Sequence, residues 1–144
     1  MALVELNKDN LQSLIDTSEI LLIDFWAGWC GPCKMFKPIF EKASDKHKDI
    51  VFASCDTEAQ TEVAASFGVR SIPTLAIFRQ KTLLFMEAGA LPEPMLEELI
   101  GKVRELDMDE VHAKVAEEEA KETAKKSGKG TEKEGEKDRG KSSN

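Results

Sequence analysis

Cys30 and Cys33 are separated only by Gly31 and Pro32, with Trp29 before them and Lys34 after. Two thiols at this spacing can exchange a disulfide or hold half of a metal site. Disulfide exchange needs one accessible thiolate and a second thiol near enough to resolve the mixed disulfide. If a helix begins at this point, its unpaired N–H groups and partial positive charge stabilise a thiolate on Cys30. Cys33 then lies one turn on, within bridging distance. Cys30 is the expected attacking thiol and Cys33 the buried, resolving one. A four-thiolate zinc site needs a second C-x-x-C. The chain has none, and its third cysteine, Cys55, and His47 stand at no ligand spacing. No metal is expected.

The elements around the pair can be read from periodicity. Ile20 to Trp26 is a continuous apolar run broken only by Asp24, the pattern of a strand buried on both faces. Gly28 and Gly31 mark a turn, and Pro32 suits the first turn of a helix. That helix is expected to reach about Lys46, with Met35, Phe36, Ile39, Phe40 and Ala43 at helical spacing and a kink at Pro38. Before it, Val4–Leu6 reads as a short strand, and Asn7 as the cap of a helix ending at Ile15. After it, Ile50–Cys55 reads as a strand, and Asp56 or Thr57 as the cap of a helix stopped by Gly68. Thr74–Phe78 and Leu83–Met86 form a hairpin with no Asn-Gly signal at its turn. Pro92 or Pro94 opens a last helix that turns Met95, Leu96, Leu99, Ile100 and Val103 inward. This order implies an α/β fold, a mixed sheet of about five strands with four helices on its two faces.

The chain has 144 residues, 41% hydrophobic and 33% charged, with a net charge of −7. The charge is concentrated at the end, where residues 107–144 hold 20 of the 47 charged side chains. We expect one domain over 1–106 and a charged extension over 107–144, helical to about 126 and disordered beyond. The acidic balance of 1–106 argues against nucleic-acid and anionic-membrane binding. No secretory signal or apolar stretch near ~18 residues is visible, so a cytoplasmic compartment is expected. There, transient catalytic disulfides are commoner than structural ones.

Asp24 is the second informative residue. A carboxylate in an apolar run is costly unless protonated or paired. It either reaches solvent or caps the helix, or it is a buried acid exchanging a proton with Cys33. Cys55 reads as a small buried hydrophobe, with a regulatory thiol as the alternative. His47 and His112 carry no catalytic signal.

The segment Asp24-Phe25-Trp26-Ala27-Gly28-Trp29-Cys30-Gly31-Pro32-Cys33-Lys34 resembles the active-site segment of thioredoxins. The resemblance continues through Pro38, Phe67-Gly68-Val69-Arg70-Ser71-Ile72-Pro73-Thr74 and Gly89-Ala90-Leu91, and covers about residues 2–106. It implies a thioredoxin-like fold and a reductant of protein disulfides. It supports the proton-transfer reading of Asp24. It implies a cis bond at Ile72–Pro73 and a substrate surface of Trp29, Ile72, Pro73, Gly89 and Ala90, with Trp26 and Pro38 as structural neighbours of the site. No bound cofactor is implied, only the redox-active disulfide, with NADPH acting indirectly through a thioredoxin reductase. The expected partners are that reductase and disulfide-containing proteins, and the chain is expected to be a monomer. One departure stands out. Many family members carry a Lys in the third strand near this Asp; here the strand has none, and Phe52 is taken as its replacement. That departure and the long extension keep two alternatives open: a specialised thioredoxin-like protein with a narrow substrate or a different electron donor, and a redox-independent scaffold or adaptor.

Overall fold

Strand β2 (Ile20–Trp26) shows why its apolar run is continuous. Ile20 and Leu22 join one core cluster, while Leu21, Ile23 and Phe25 join another on the opposite face. Successive strand residues point to opposite faces, so a central strand covered on both sides has no polar face to show. The computed structural model describes residues 3–134, and the sheet they form has the order β1-β3-β2-β4-β5. β1 (Leu3–Glu5) and β2 both run parallel to β3 (Val51–Asp56). β4 (Thr74–Arg79) and β5 (Thr82–Ala88) are antiparallel neighbours beyond β2. Parallel pairs need crossovers and antiparallel pairs can use a tight turn, which matches the helices between β1, β2 and β3 and the hairpin between β4 and β5.

Each sheet face carries two helices. On one, Phe36, Phe40 and Ala43 of α2 (Gly31–Lys46) and Leu96, Ile100 and Val103 of α4 (Glu93–Glu105) pack with Leu22, Phe52, Leu75 and Ile77. On the other, Leu11, Leu14 and Ile15 of α1 (Leu11–Thr17) and Val63 of α3 (Thr61–Ser66) pack with Leu6, Phe25, Cys55 and Phe78. Burying a side chain the size of these phenylalanines or leucines contributes about 1.5–3 kcal/mol, so β2 is held in place from both sides. The mixed sheet and its four helices are the fold expected from the sequence.

Several local expectations are corrected. Asn7 does not begin α1. Its Oδ1 accepts from the N–H groups of Asp9 and Asn10 (2.8 and 2.9 Å), building a turn that hands the N-cap position to Asn10. Asp56 acts in the same way, accepting from Glu58 N–H at 2.9 Å, and α3 starts after Gln60. Both follow from the side chain of Asx residues bonding backbone a little further on, in competition with the helix. Met95 is exposed rather than inward, because Leu96 takes the core-facing place at the start of α4. The hairpin turn places Gln80 at φ 50° and Lys81 at φ 69°, the left-handed geometry of a two-residue turn that usually takes Asn-Gly. Gly68 ends α3 with φ +69°, where a residue without Cβ is unstrained. Helix α2 runs unbroken through Pro38.

The chain divides into two compact units, with the second beginning at Leu106. That unit contains α5 (Met108–Glu134), with Asp109 and Glu110 in its first turn where negative charge favours a helix. The helix continues past the point near 126 where disorder is expected from composition. Its Glu-, Lys- and Ala-rich stretch propagates helix well, although Gly128 and Gly130 oppose it. Residues 135–144, also expected to be disordered, lie outside the described residues.

Candidate active site

β2 ends at Trp26, the backbone turns through Ala27–Trp29, and α2 begins at Gly31 with Cys30 as its N-cap. Cys30 is therefore held at the point where a rigid strand meets a helix start. Cys30 and Cys33 are joined in a disulfide with Cα atoms 5.2 Å apart. Cys30 Sγ accepts a hydrogen bond from Cys33 N–H at 3.1 Å. This is the cap interaction that Ser or Asp oxygen makes elsewhere, here offered to sulfur and strengthened when the sulfur is ionised. Cys30 Sγ also lies 3.7 Å from the carbonyl oxygen of Ile72. Both cysteines are only 4% exposed, so the expected contrast between an open Cys30 and a buried Cys33 is not seen in the oxidised pair. Gly31, Pro32 and Trp29 beside them are exposed.

The Ile72–Pro73 peptide is cis. Gly89 N–H donates to the Pro73 carbonyl at 2.8 Å, tying the loop after β5 to the start of β4. Of the residues expected to form a substrate surface, Trp29 is 71% exposed and Gly89 and Ala90 are exposed, while Ile72 is half-buried. Pro73 is buried, so it can shape that surface from beneath but does not present a face to it. The Trp29 indole N–H donates to Glu58 Oε2 at 3.3 Å.

Asp24 neither reaches solvent nor caps α2. It is 3% exposed, and its Oδ1 has no hydrogen-bond partner. Burial raises its pKa from the ordinary aspartate value to about 7, with the positive charge of Lys37 acting in the opposite sense. Asp24 lines a cavity of about 200 Å³ shared with Leu3, Trp26, Ala27, Gly28, Cys33, Lys34, Lys37 and Ser54. Cys33 and the buried acid thus border one space.

The strand register corrects the reading of Phe52. Phe52 pairs with Leu22 and packs in the core against Phe40, their ring centroids 5.2 Å apart. The β3 residue opposite Asp24 is Ser54, whose Oγ accepts from the Trp26 indole N–H at 2.7 Å. Ser54 therefore stands where a third-strand cation would have to be. Trp26 is held further by its carbonyl, which accepts from Thr57 N–H at 2.8 Å. Lys37 is the residue that sequence reasoning misses. Its spacing four residues after Cys33 puts it one turn along the same side of α2, and that is the available signal.

Cys55 lies in the core on the other sheet face, fully buried, and burial pushes its thiol up to about 11. It behaves as a small hydrophobe. Among the described residues no group of three or more His, Cys, Asp or Glu side chains is placed to hold a metal ion. His47 instead bonds Glu97 through Nε2 at 2.8 Å and Arg104 through Nδ1 at 3.0 Å, joining the end of α2 to α4.

Residues 2–102 match the Thioredoxin family model. A thioredoxin-type relative from Streptomyces coelicolor is 53% identical over 116 residues, covering 81% of this chain and 87% of its own. Thioredoxin C-3 of Corynebacterium nephridii is 45% identical over 89 residues, 61% of each chain. Among solved structures, a mutant thioredoxin from Halobacterium salinarum superposes with a TM-score of 0.67 at 30% identity, covering 72% of this chain and 91% of that one. A matched model over most of the chain, this sheet order and a bonded cysteine pair at the start of α2 lead to one assignment: the chain belongs to the thioredoxin family and is a thiol–disulfide oxidoreductase whose redox group is the Cys30–Cys33 disulfide, with no bound cofactor.

Proposed function

We propose that the chain is a general reductant of protein disulfides in which Cys30 attacks, Cys33 resolves and Asp24 moves the proton. The observation that carries this reading is the cavity that Asp24 and Cys33 both line, with Cys30 the N-cap of the helix that carries Cys33. In the reduced chain the Cys30 thiolate attacks one sulfur of a substrate disulfide. A Cys30–substrate bond forms, and the other substrate sulfur leaves as a thiolate and takes a proton from water. Ionised Asp24 then accepts the Cys33 proton, and the Cys33 thiolate attacks Cys30 Sγ. The Cys30–Cys33 bond forms, the Cys30–substrate bond breaks, and the second substrate thiolate leaves. Two electrons have passed to the substrate. A base for this step must be partly ionised at the working pH, and an Asp titrating near 7 meets that condition.

Trp29, Gly89, Ala90 and the backbone of Ile72 would receive the substrate segment. The Ile72 carbonyl beside Cys30 would present an extended peptide to the sulfur. An NADPH-dependent thioredoxin reductase would return the electrons. No helix among the described residues is long and apolar enough to cross a membrane, and the cytoplasm is the proposed compartment. We assign the redox domain to 1–106 and treat 107–144 as an appended segment.

The test is NADPH-coupled insulin reduction with a standard thioredoxin reductase. Wild type is expected to turn over and Cys30→Ser to lose at least about a hundredfold, with Asp24→Asn slowed in the mixed-disulfide step. Activity in the Cys30→Ser variant would overturn the mechanism. Ser54 opposite Asp24 favours one second reading, a protein with a different electron donor. Turnover with dithiothreitol but not with the reductase would select it.

A further inference from the structure

Ser54 leaves the strand side of the Asp24 cavity without a charge. The opposite wall is different. Helix α2 sends two cations to it, Lys34 and Lys37, both exposed along the helix. Lys37 also lines an adjoining surface pocket with Leu3, Glu5, Trp26, Glu41 and Ser54. Its ammonium stands 5.9 Å from the centroid of the Trp26 ring, an arrangement in which ring and cation attract. Trp26 is itself pinned by Ser54 Oγ and Thr57. One chain of contacts thus runs from Ser54 to the indole and from the indole to Lys37.

We propose that Lys37 is the positioning residue for Asp24, supplying from α2 the counter-charge that lets the buried carboxyl release and regain its proton during resolution of the mixed disulfide. The proposal rests on the role given to Asp24 above. Lys37 forms no direct ion pair with Asp24; its field acts across the cavity. In surroundings poorer in water than bulk solvent a charge acts over several ångströms. The other groups facing Asp24 do not supply this. On α2 they are Cys33, which is the proton donor, and Lys34, also exposed. On β3 the facing group is neutral Ser54, while the thiol of Cys55 is buried on the other face of the sheet. Leu75 of β4, opposite Asp24 in register, and Leu3 of β1 are apolar. The acidic Glu5 and Glu41 lie in the adjoining pocket on the Lys37 side. Of the two α2 cations, it is Lys37 whose charge favours the ionised carboxylate.

The test titrates the Asp24 carboxyl by carbon-13 NMR in the full chain, as wild type, Lys37→Met and Lys37→Arg, beside the pH profile of insulin reduction. Methionine keeps a flexible stem against Trp26 and removes the charge; arginine keeps the charge. Lys37→Met is expected to move the Asp24 midpoint upward by about half a unit, a threefold change in proton affinity. The acid limb of the rate profile should move with it, and Lys37→Arg should restore both. A midpoint in Lys37→Met that coincides with wild type overturns the proposal, even if the rate falls, because a merely structural lysine would slow turnover without moving the titration. The underlying role of Asp24 fails separately: an Asp24→Asn profile identical to wild type removes that role, wherever Lys37 sets the midpoint.

Discussion

Asp24 shows what a single buried charge costs and what it makes possible. In the unfolded chain it titrates near the ordinary aspartate value of 3.8, and in the folded chain near 7. Between those values the folded chain holds a proton that the unfolded chain has released. Its effect on stability is therefore fully favourable below about pH 4 and is lost as pH rises toward 7. A shift of this size corresponds to at most about 4 kcal/mol. Asp24→Asn should then raise stability by a few kcal/mol at pH 8 and change it little at pH 4.5, measured by urea unfolding of the oxidised protein. Equal effects at the two pH values would show that the gain is packing and not ionisation. The same substitution slows the proposed resolution step, so stability is given up at the position where the proton is needed. The presence of this acid is legible in the sequence, because one carboxylate in a seven-residue apolar run has few explanations. Its electrostatic partner is not. Phe52 is the wrong candidate because register, which decides which β3 residue faces Asp24, follows from hydrogen bonding across the sheet and from no local pattern.

At the scale of elements, β2 and α2 are readable because two independent signals coincide in each. The apolar run of β2 ends at a glycine turn, and α2 combines a proline start with helical spacing. Helices α1 and α3 begin later than the sequence suggests because Asn7 and Asp56 look like caps and in fact build turns one step before the helix. The β4–β5 hairpin is visible in the pattern, but its turn is not, since Gln80 and Lys81 are poor left-handed formers. That mismatch can be tested. A residue with Cβ held in this region costs about 1–2 kcal/mol, and glycine removes that cost while losing more freedom on folding. Gln80 is engaged through its side chain with Glu19 at 2.9 Å, so Lys81, which is exposed, is the better position. Lys81→Gly should stabilise by about 0.5 kcal/mol, seen as a higher urea midpoint at an unchanged slope. A lower midpoint would mean that the turn carries no strain worth relieving.

On the scale of the whole molecule, the cysteine pair and both core clusters lie in one part of the described chain. Every element that borders the Asp24 cavity or carries a site residue lies before Glu105, where α4, the last of the four helices that cover the sheet, ends. The family model stops at residue 102. The segment beyond is dominated by charge, and the described side chains of α5 after Val111 are exposed. An element of that kind gains little from burial and depends on its own helix propensity. A chain ending at Leu106 should therefore keep insulin turnover within about twofold of the full chain, and its melting temperature should change by only a few degrees. The measurement is sensitive, since a loss of 1 kcal/mol in a domain of this size lowers the melting temperature by about 4–8 °C. A fall well beyond that range, or loss of turnover with Cys30 and Cys33 intact, would make the extension part of the redox domain. Turnover preserved with insulin but lost with one physiological disulfide substrate would instead give the extension a role in choosing that substrate, because both chains would present the same reacting sulfurs.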